Sequence, residues 1–523
     1  MTEARDRISD LPDEILHEIF SLVPVKSVAK NSALSRTWSR LWATLPVLDF
    51  NQVCPPMPKR LDHANELQVA LDEQMEALAF IPRVLFSRPE NSNINVFRFS
   101  GRLMSLSCLE DCICRVVNHR VGELQLNLLM ACGERFDLPH CVYECDSLRS
   151  LTLINATRIR LRSQPEDSKP RFCFSFSLVK ATSGLCSLQA LTLKCVDILD
   201  DHLTTDLFSD SSFPFLQNLI MKTCQGMTHL KISCSKLKDV RVVDMNLNSL
   251  DISGSRLENL TVRFCFENPS GDNKSRVNIF APNLKVFRWQ FNGYTDDCSI
   301  QNFPRLNAFY MHYWLEDDVS NVIIKNVVKL LSASSQISVL DIQSFGLLLV
   351  LASIYFQGGL PFSFMKLKTL DIFAYGLKIY DIPGLLCLFK SSPVVDTLKI
   401  MICPKTTNEV PNWNNILLDN ANCTEEQYWE KQAPTLRSIL CNIKMVTIYV
   451  GEGIEELERA VKMARFLLEQ GTSLQEMVLV VPQSNANNLD TWKDKTGLTE
   501  GFRPASPHVK ILITALSSRR RAS

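Results

Sequence analysis

Apolar residues recur through most of this chain in one short pattern, L-x-x-L-x-L, with Ile, Val, Phe or Met also allowed at each Leu position. Instances start at Ile94, Val121, Leu148, Leu188, Leu216, Leu237, Leu257, Leu284, Leu306, Ile337, Leu367, Val395 and Ile443. Leu148-Arg-Ser-Leu151-Thr-Leu153 and Leu367-Lys-Thr-Leu370-Asp-Ile372 show it clearly. In an extended strand alternate side chains point to opposite faces, so the two apolar residues of L-x-L point inward and the residue between them points outward. Most starts lie about 20–30 residues apart, the period of a solenoid. One such coil cannot bury its apolar edge alone, so the coils must stack in parallel. Helical spacing fills some intervals: from Leu106 to Val117 the apolar positions are 106, 109, 113, 116 and 117. Between Met227 and Val262 the spacing tightens, and Leu230-Lys-Ile232, Val240-Arg-Val242, Leu250-Asp-Ile252 and Leu260-Thr-Val262 recur every ten residues. Ten residues do not hold a strand and a helix, which predicts coils of two strands with sheets on both faces of the solenoid.

The first fifty residues follow another period. Pro12 suits the first position of a helix, and Asp13 and Glu14 place negative charge at its positive end. Ile15, Leu16, Ile19, Phe20 and Leu22 then recur at helical spacing until Pro24. Ser27 is read as the cap of a second short helix carrying Val28, and a third runs from about Ser35 with Trp38, Leu41 and Trp42 on one side. Three short helices cannot bury this much apolar surface among themselves. The surplus marks either a partner site or a face that docks on the rest of the chain.

At the other end, Asn408 to Asn422, with Pro411, reads as a polar loop. Glu455 to Gly471 is an amphipathic helix lined by Leu457, Val461, Ala464, Leu467 and Leu468. Met477 to Val481 is a strand, Arg503 to Ile511 leads into a last one, and Ser517 to Ser523 is a short basic tail expected to fray.

Composition narrows the function. Lys and Arg number 56, as do Asp and Glu, so the formal net charge is zero. That argues against a dedicated nucleic-acid binder or a binder of anionic membranes, both of which need a basic excess. The longest apolar stretch, Phe345 to Phe356, is shorter than the roughly 20 residues that span a bilayer. The opening Met1-Thr-Glu-Ala-Arg-Asp-Arg has no apolar core of a signal peptide, and a soluble protein of the cytoplasm and/or nucleus is expected. No G-x-G-x-x-G, Walker-type loop, G-x-S-x-G or H-E-x-x-H occurs, and no catalytic residue or cofactor is assigned. Cys108, Cys112, Cys114, His119, Cys132, His140, Cys141 and Cys145 cluster in sequence but form no paired C-x-x-C knuckles, so they read as core thiols with no metal.

The run Leu11-Pro12-x-Glu14-Ile15-Leu16-x-x-Ile19-Phe20, a hinge, then Ala33-Leu34-Ser35-Arg36-x-Trp38-x-x-Leu41-Trp42 resembles an F-box. The family's usual basic pair before the Trp is Arg36-Thr37 here, so one basic position is missing. The irregular array, in which the Asn of many leucine-rich repeats is usually absent, resembles that of plant F-box/LRR proteins, and Ala281-Pro-Asn-Leu284-Lys is a junction typical of them. Arg465-Phe-Leu-Leu-Glu469, Leu474-Gln-Glu-Met-Val-Leu479 and the Ala505-Ser-Pro507…Lys510-Ile511 ending are similar to the FBD region that closes such proteins.

The resemblance implies an α/β chain: an F-box over 1–50, a helical connector over 51–93, a leucine-rich-repeat solenoid over 94–407, a loop over 408–428, an FBD region over 429–515 as an α+β cap, and the tail 516–523. It implies binding of a Skp-type adaptor, and through it a cullin, at Leu11, Pro12, Ile15, Leu16, Ile19, Leu34, Ser35, Trp38, Leu41 and Trp42. The chain would then be the non-catalytic substrate-recognition subunit of an SCF-type ubiquitin ligase, binding a protein target of unknown identity. A non-ligase repeat scaffold and a small-ligand sensor stand as alternatives. Strand alternation places Lys194, Lys222, Arg241, Arg263, Arg288, Gln290, Tyr310 and His312 on an exposed concave face as the candidate target surface. The outward list is mostly basic from Lys194 to Arg288 and turns acidic or apolar beyond Asp341. A basic patch of this kind attracts an acidic or phosphorylated segment or an inositol phosphate, although a solvated charged face is the commoner meaning of such a list.

Overall fold

The computed structural model describes residues 11–31, 36–51, 80–101, 106–130, 133–157, 169–182, 184–199, 207–266, 274–293, 295–314, 320–375, 381–403, 425–451, 454–482 and 504–515. It divides into two compact units, Met1–Met245 and Asn246–Ser523.

The first unit opens with helices α1 (Asp13–Ser21), α2 (Val25–Asn31) and α3 (Arg36–Ala43). Pro12 sits at the N-cap of α1, where its carbonyl accepts from the N–H groups of Ile15 and Leu16. Pro24 does the same for α2 through Ser27 and Val28, so Ser27 lies inside that helix and does not cap it. A parallel ladder then runs through β1 (Val47–Asp49), β2 (Val96–Gly101), β3 (Glu123–Leu128), β5 (Ser150–Asn155), β7 (Ala190–Lys194), β9 (Asn218–Lys222) and β11 (Asp239–Val243). Strands β4 (Arg135–Asp137), β6 (Arg171–Phe174) and β8 (Asp197–Ile198) form a second, smaller sheet, and β10 (His229–Ile232) lies between β9 and β11 in sequence. Helices α4 (Leu106–Asn118), α5 (His140–Tyr143) and α6 (Phe176–Thr182) complete the wider coils.

In the second unit β12 (Ser249–Ser253), β14 (Arg276–Phe280) and β16 (Asp297–Ile300) form one parallel sheet. Its main ladder runs through β13 (Asn259–Arg263), β15 (Val286–Asn292), β17 (Ala308–Trp314), β18 (Val339–Phe345), β19 (Thr369–Tyr375), β20 (Thr397–Cys403), β21 (Met445–Val450), β22 (Glu476–Val481) and β23 (Lys510–Ala515). The ten-residue spacing therefore does alternate between two sheets. Beyond β17 helices take over the second side: α7 (Asn321–Ala333), α8 (Leu347–Phe356), α9 (Ile382–Lys390), α10 (Glu425–Leu440) and α11 (Ile454–Gln470). No described helix is long and apolar enough to cross a membrane. Residues 445–515 supply the last three rungs, β21 pairing with β20 from Thr397↔Met445 onward. Helix α10 begins at Glu425, inside the expected loop, whose earlier residues lie outside the described ones, as do 52–79 of the connector.

Register shows why the pattern is obligatory. Leu124, Leu151, Leu191, Leu219 and Val240 face one another rung by rung, as do Leu126, Leu153, Leu193, Met221 and Val242. In the second unit Leu260, Phe287, Phe309, Leu340, Leu370 and Leu398 form a similar row. All of these side chains are buried, and each stabilises by about 2 kcal/mol. Every pattern start from Ile94 to Ile443 is buried too. The structure adds one instance, Leu45-Pro-Val-Leu48-Asp-Phe50 at β1, and the expected strand from Met477 is β22, preceded by Leu474 in the same pattern. The ladder thus starts within the F-box segment, with β1 paired to β2 from Val47↔Val96 to Asp49↔Arg98.

Several rungs end on a residue with positive φ: Cys195, Thr223, Asp244, Phe264 and Phe291. The next residue turns inward, and there sulfur does part of the work of the missing Asn. The Cys224 N–H meets Met245 Sδ at 3.2 Å and the Cys224 thiol donates to the Leu193 carbonyl. Asn292 does it with an amide, accepting from the Cys265 N–H at 2.9 Å and donating to the Val262 carbonyl. The scattered cysteines are therefore mostly turn and core residues. In the early cluster Cys114 and Cys141 lie with sulfurs 3.0 Å apart. Burial, with Cys108 beside Cys112 and Cys114 beside Cys141, pushes Cys112 and Cys141 up to about 12, so both stay thiols at neutral pH. Among the described residues no group of three or more His, Cys, Asp or Glu side chains is placed to hold a metal ion.

Helices α8 and α9 pack so closely that a Cβ on Gly384 would lie 2.1 Å from the Leu348 carbonyl oxygen. Gly384→Ala is expected to lower stability by about 2–3 kcal/mol, measured by denaturant unfolding followed by circular dichroism.

Candidate functional site

Helix α1 is apolar on two sides. Leu16 and Phe20 face inward, where Phe20 meets Trp38 in a tilted ring contact with centroids 5.0 Å apart, and Val25, Val28, Leu41 and Leu45 are buried too. Ile15 and Ile19, one helical turn apart, stay 43% and 40% exposed, with Leu11 at 38% and Pro12 also open. Leu22 extends this stripe at 86% exposure. Beside it an open pocket of about 350 Å³ is lined by Phe20, Leu22, Pro24, Val25, Leu45 and Val47 among others. Asp13 and Arg40 tie α1 to α3 at 3.2 Å, an exposed pair worth less than about 1 kcal/mol. His17 Nε2 lies 3.4 Å from Thr44 Oγ1 on the same joint.

The expected adaptor residues thus separate into two groups. Leu11, Pro12, Ile15 and Ile19 form the open stripe. Leu16 and Leu41, each 1% exposed, are core residues that hold the stripe in place and are not themselves available as contacts. Trp38 is half-buried against Phe20, and Trp42 lies over Phe80, which in turn meets Phe50 of the first rung. Leu34 and Ser35 lie outside the described residues. Part of the surplus apolar surface therefore docks on the rest of the chain, through Trp42, Phe80 and Phe50, while the α1 stripe stays open.

The expected target residues fall into two separate groups as well. In the first unit Lys194 and Lys222 oppose each other on β7 and β9, and Arg241 sits one row away on β11, opposite Ile220. In the second unit Arg263, Gln290 and His312 share a row across β13, β15 and β17, and Arg288 and Tyr310 share the next. Arg263 packs over the stacked rings of Phe264 and Phe291, at 5.1 and 5.2 Å, and Arg288 over Tyr310 at 4.7 Å. His312 is a correction to the expected surface. It is 8% exposed, and its ring nitrogens meet Gln290 Nε2 at 3.2 Å and Asp341 Oδ1 at 3.0 Å. It supports the surface from below, with half-buried Gln290 beside it. Phe264 and Phe291 fall two residues past the last apolar position of each pair, Val262 and Trp289, where plain alternation would send them inward.

Farther along the second of these rows Asp341 and Asp371 oppose each other directly. Burial, then the Asp341 charge, pushes the Asp371 carboxyl up to about 6, against the pull of Lys399 and His312. A carboxyl raised on folding binds its proton more tightly in the folded state, so its contribution to stability falls as pH rises from about 4 through 6. Asp371→Asn is expected to gain up to about 3 kcal/mol at pH 7. That gain should vanish below pH 4, as read from unfolding midpoints across pH.

Three helices with an open apolar stripe, leading directly into a parallel leucine-rich-repeat ladder, define an F-box protein of the repeat class. Comparison with known proteins agrees. A family model described as "F-box domain" matches residues 8–50, and one described as "FBD-associated F-box protein At5g56370, LRR repeats" matches residues 109–302. The F-box/FBD/LRR-repeat protein At4g03220 of Arabidopsis thaliana is 31% identical over 97% of this chain and 95% of its own length. The F-box/FBD/LRR-repeat protein At5g56420 of the same plant is 27% identical over 76% of this chain and 78% of its own. The F-box/LRR-repeat protein At5g02910, also from Arabidopsis thaliana, is 24% identical over 92% and 89%. The chain belongs to the F-box/FBD/LRR-repeat family. F-box domains generally bind Skp-type adaptors in SCF complexes, and the F-box/LRR family is generally of the non-catalytic receptor type.

Proposed function

We propose that this chain is the substrate-recognition subunit of an SCF-type cullin–RING ubiquitin ligase. The outer stripe of α1 docks on a Skp-type adaptor, and the open face of the repeat ladder holds a protein target. The observation that carries this reading is the stripe Leu11, Pro12, Ile15 and Ile19, left exposed on α1 while Leu16 and Phe20 on its other side are buried. Isolated surface isoleucines are ordinary, but a contiguous apolar row on one helix face marks a binding site.

The chain makes and breaks no bond in this account. It raises the local concentration of a target lysine beside a ubiquitin donor held by the cullin arm, an effect that reaches millimolar effective concentrations through tethering alone. Rigid attachment favours this, since a target held by a floppy receptor samples more unproductive positions. Trp42 on Phe80 and the β1–β2 pairing provide such attachment between the helices and the first rungs.

Ile15→Ala and Ile19→Ala are the informative variants, because both side chains are half-exposed and their loss leaves the core untouched. Each is expected to weaken adaptor binding roughly tenfold while the unfolding midpoint stays at the wild-type value. The measurement is titration of purified chain against a Skp-type adaptor. A folded wild-type chain that ignores the adaptor, or variants that bind as tightly as wild type, would contradict the proposal.

A further inference from the structure

We infer that the open face across β13, β15 and β17 binds an extended peptide segment presenting an acidic side chain, carboxylate or phosphate, beside an apolar or aromatic one. The biological occupant, a ligase target, rests on the receptor reading above; the binding chemistry rests on the residues that follow.

Arg263 and Arg288 are the cations of this face, and neither is paired with a carboxylate among the described residues. Each guanidinium instead packs against aromatic rings, Arg263 on Phe264 and Phe291 and Arg288 on Tyr310. Ring packing fixes the plane of a guanidinium and leaves its N–H fork unspent, the geometry that receives a carboxylate or phosphate bidentately. Arg288 pairs with Thr261, two residues before Arg263. With strands about 4.8 Å apart and a rise of about 3.3 Å per residue, the two Arg Cα atoms lie roughly 8 Å apart. That spacing is within the reach of two long Arg side chains, so one extended anionic segment laid over β13 and β15 meets both.

The aromatic half is not dictated by the fold. Phe264 and Phe291 occupy the left-handed position that ends a rung, φ 51° and 52°. Earlier rungs fill the same position with Cys195, Thr223 and Asp244, so the turn demands the backbone angle and not the ring. A bulky residue is a costly choice there. The two rings stack at 4.9 Å, Phe264 is 45% exposed, and Phe291 meets the edge of the tethered His312 at 5.3 Å. That leaves an exposed ring beside two oriented cations.

The polarity of the site is set by its far side. Past Tyr310 the same row continues into Asp341 and Asp371, two carboxylates in direct opposition, before Lys399. A second acid on the ligand is repelled there. The face therefore selects one acidic cluster over β13 and β15, not anionic charge spread along the peptide.

The test is an immobilised peptide library probed with the full-length chain at near-physiological salt. A fixed central position carries Glu, phosphoserine, Gln or Lys, and the neighbouring positions vary. Acid next to an aromatic or large apolar residue should be selected over the Gln peptides at least tenfold, with the Glu and phosphoserine arms showing which anion fits better. Peptides with a second acid four positions away should gain nothing. Arg263→Gln with Arg288→Gln should abolish the acidic selection, and Phe264→Ala should erase the aromatic preference while keeping the acidic one. Both variants alter exposed or half-exposed side chains, and an unchanged unfolding midpoint shows that they fold. No acidic selection by the wild type, or selection that survives the double Arg change, overturns the inference. Adaptor capture measured on the same preparations keeps this result separate: its loss in the wild type strikes the receptor reading and leaves the peptide chemistry standing.

Discussion

Parallel pairing of one short strand with the next is the interaction on which the rest of this molecule depends. Each rung has two or three inward apolar side chains and a row of backbone donors and acceptors, and it can satisfy neither alone. Stacking solves both at once: Leu sits on Leu and Phe on Phe through consecutive rungs, while the amides alternate their bonds with the strands on either side. The cost is an obligatory sharp turn after many rungs, met by left-handed residues and by the Cys, Met and Asn groups that bond the turn backbone. The benefit is that the outward residues of each strand carry far less of the packing than the inward ones, so a repeat array can change much of its surface without changing its fold.

The F-box is part of that ladder. Its last residues, Leu45 to Phe50, follow the repeat pattern and pair with β2, and Phe50 donates its N–H to the Arg98 carbonyl at 2.7 Å. The aromatic series Trp42, Phe80, Phe50 and Phe97 continues the contact from helix to rung. One side of the helical domain is thereby committed to its own chain, while the outer stripe of α1 stays open among the described residues. A small helical domain is stabilised in the same way by the solenoid it serves.

Much of this was legible in the residues. A period-two apolar signal repeated at solenoid spacing has few physical realisations, which is why every pattern start from Ile94 onward lies in the core. The tightened spacing after Met227 specified two facing sheets because ten residues exclude a helix. What escaped were features that break the period. Leu45-Pro-Val-Leu48-Asp-Phe50 was hidden because a helical motif runs up to it, and Pro46 sits inside the pattern. Phe264 sits one position past β13 and Phe291 at the register shift inside β15, where backbone conformation changes and alternation no longer says which way a side chain points. His312 shares the outward alternation of Arg263 and Gln290, yet it is covered by its own neighbours; periodicity reports direction and not depth. Leu16 and Leu41 match the F-box pattern as well as Ile15 does, and only packing separates the residues that form the stripe from those that hold it.

The claim that joins these parts is that the F-box and the repeat share one continuous set of rungs. Hydrogen–deuterium exchange of the Leu48 and Phe50 backbone amides, the ones directed at β2, tests it directly in the full-length chain. If the account is right, those amides exchange as slowly as the amides of β2 and β3, since they belong to the same ladder. Exchange within seconds, as from an unpaired linker, while β2 and β3 remain protected, would contradict it and make the helical domain a tethered module.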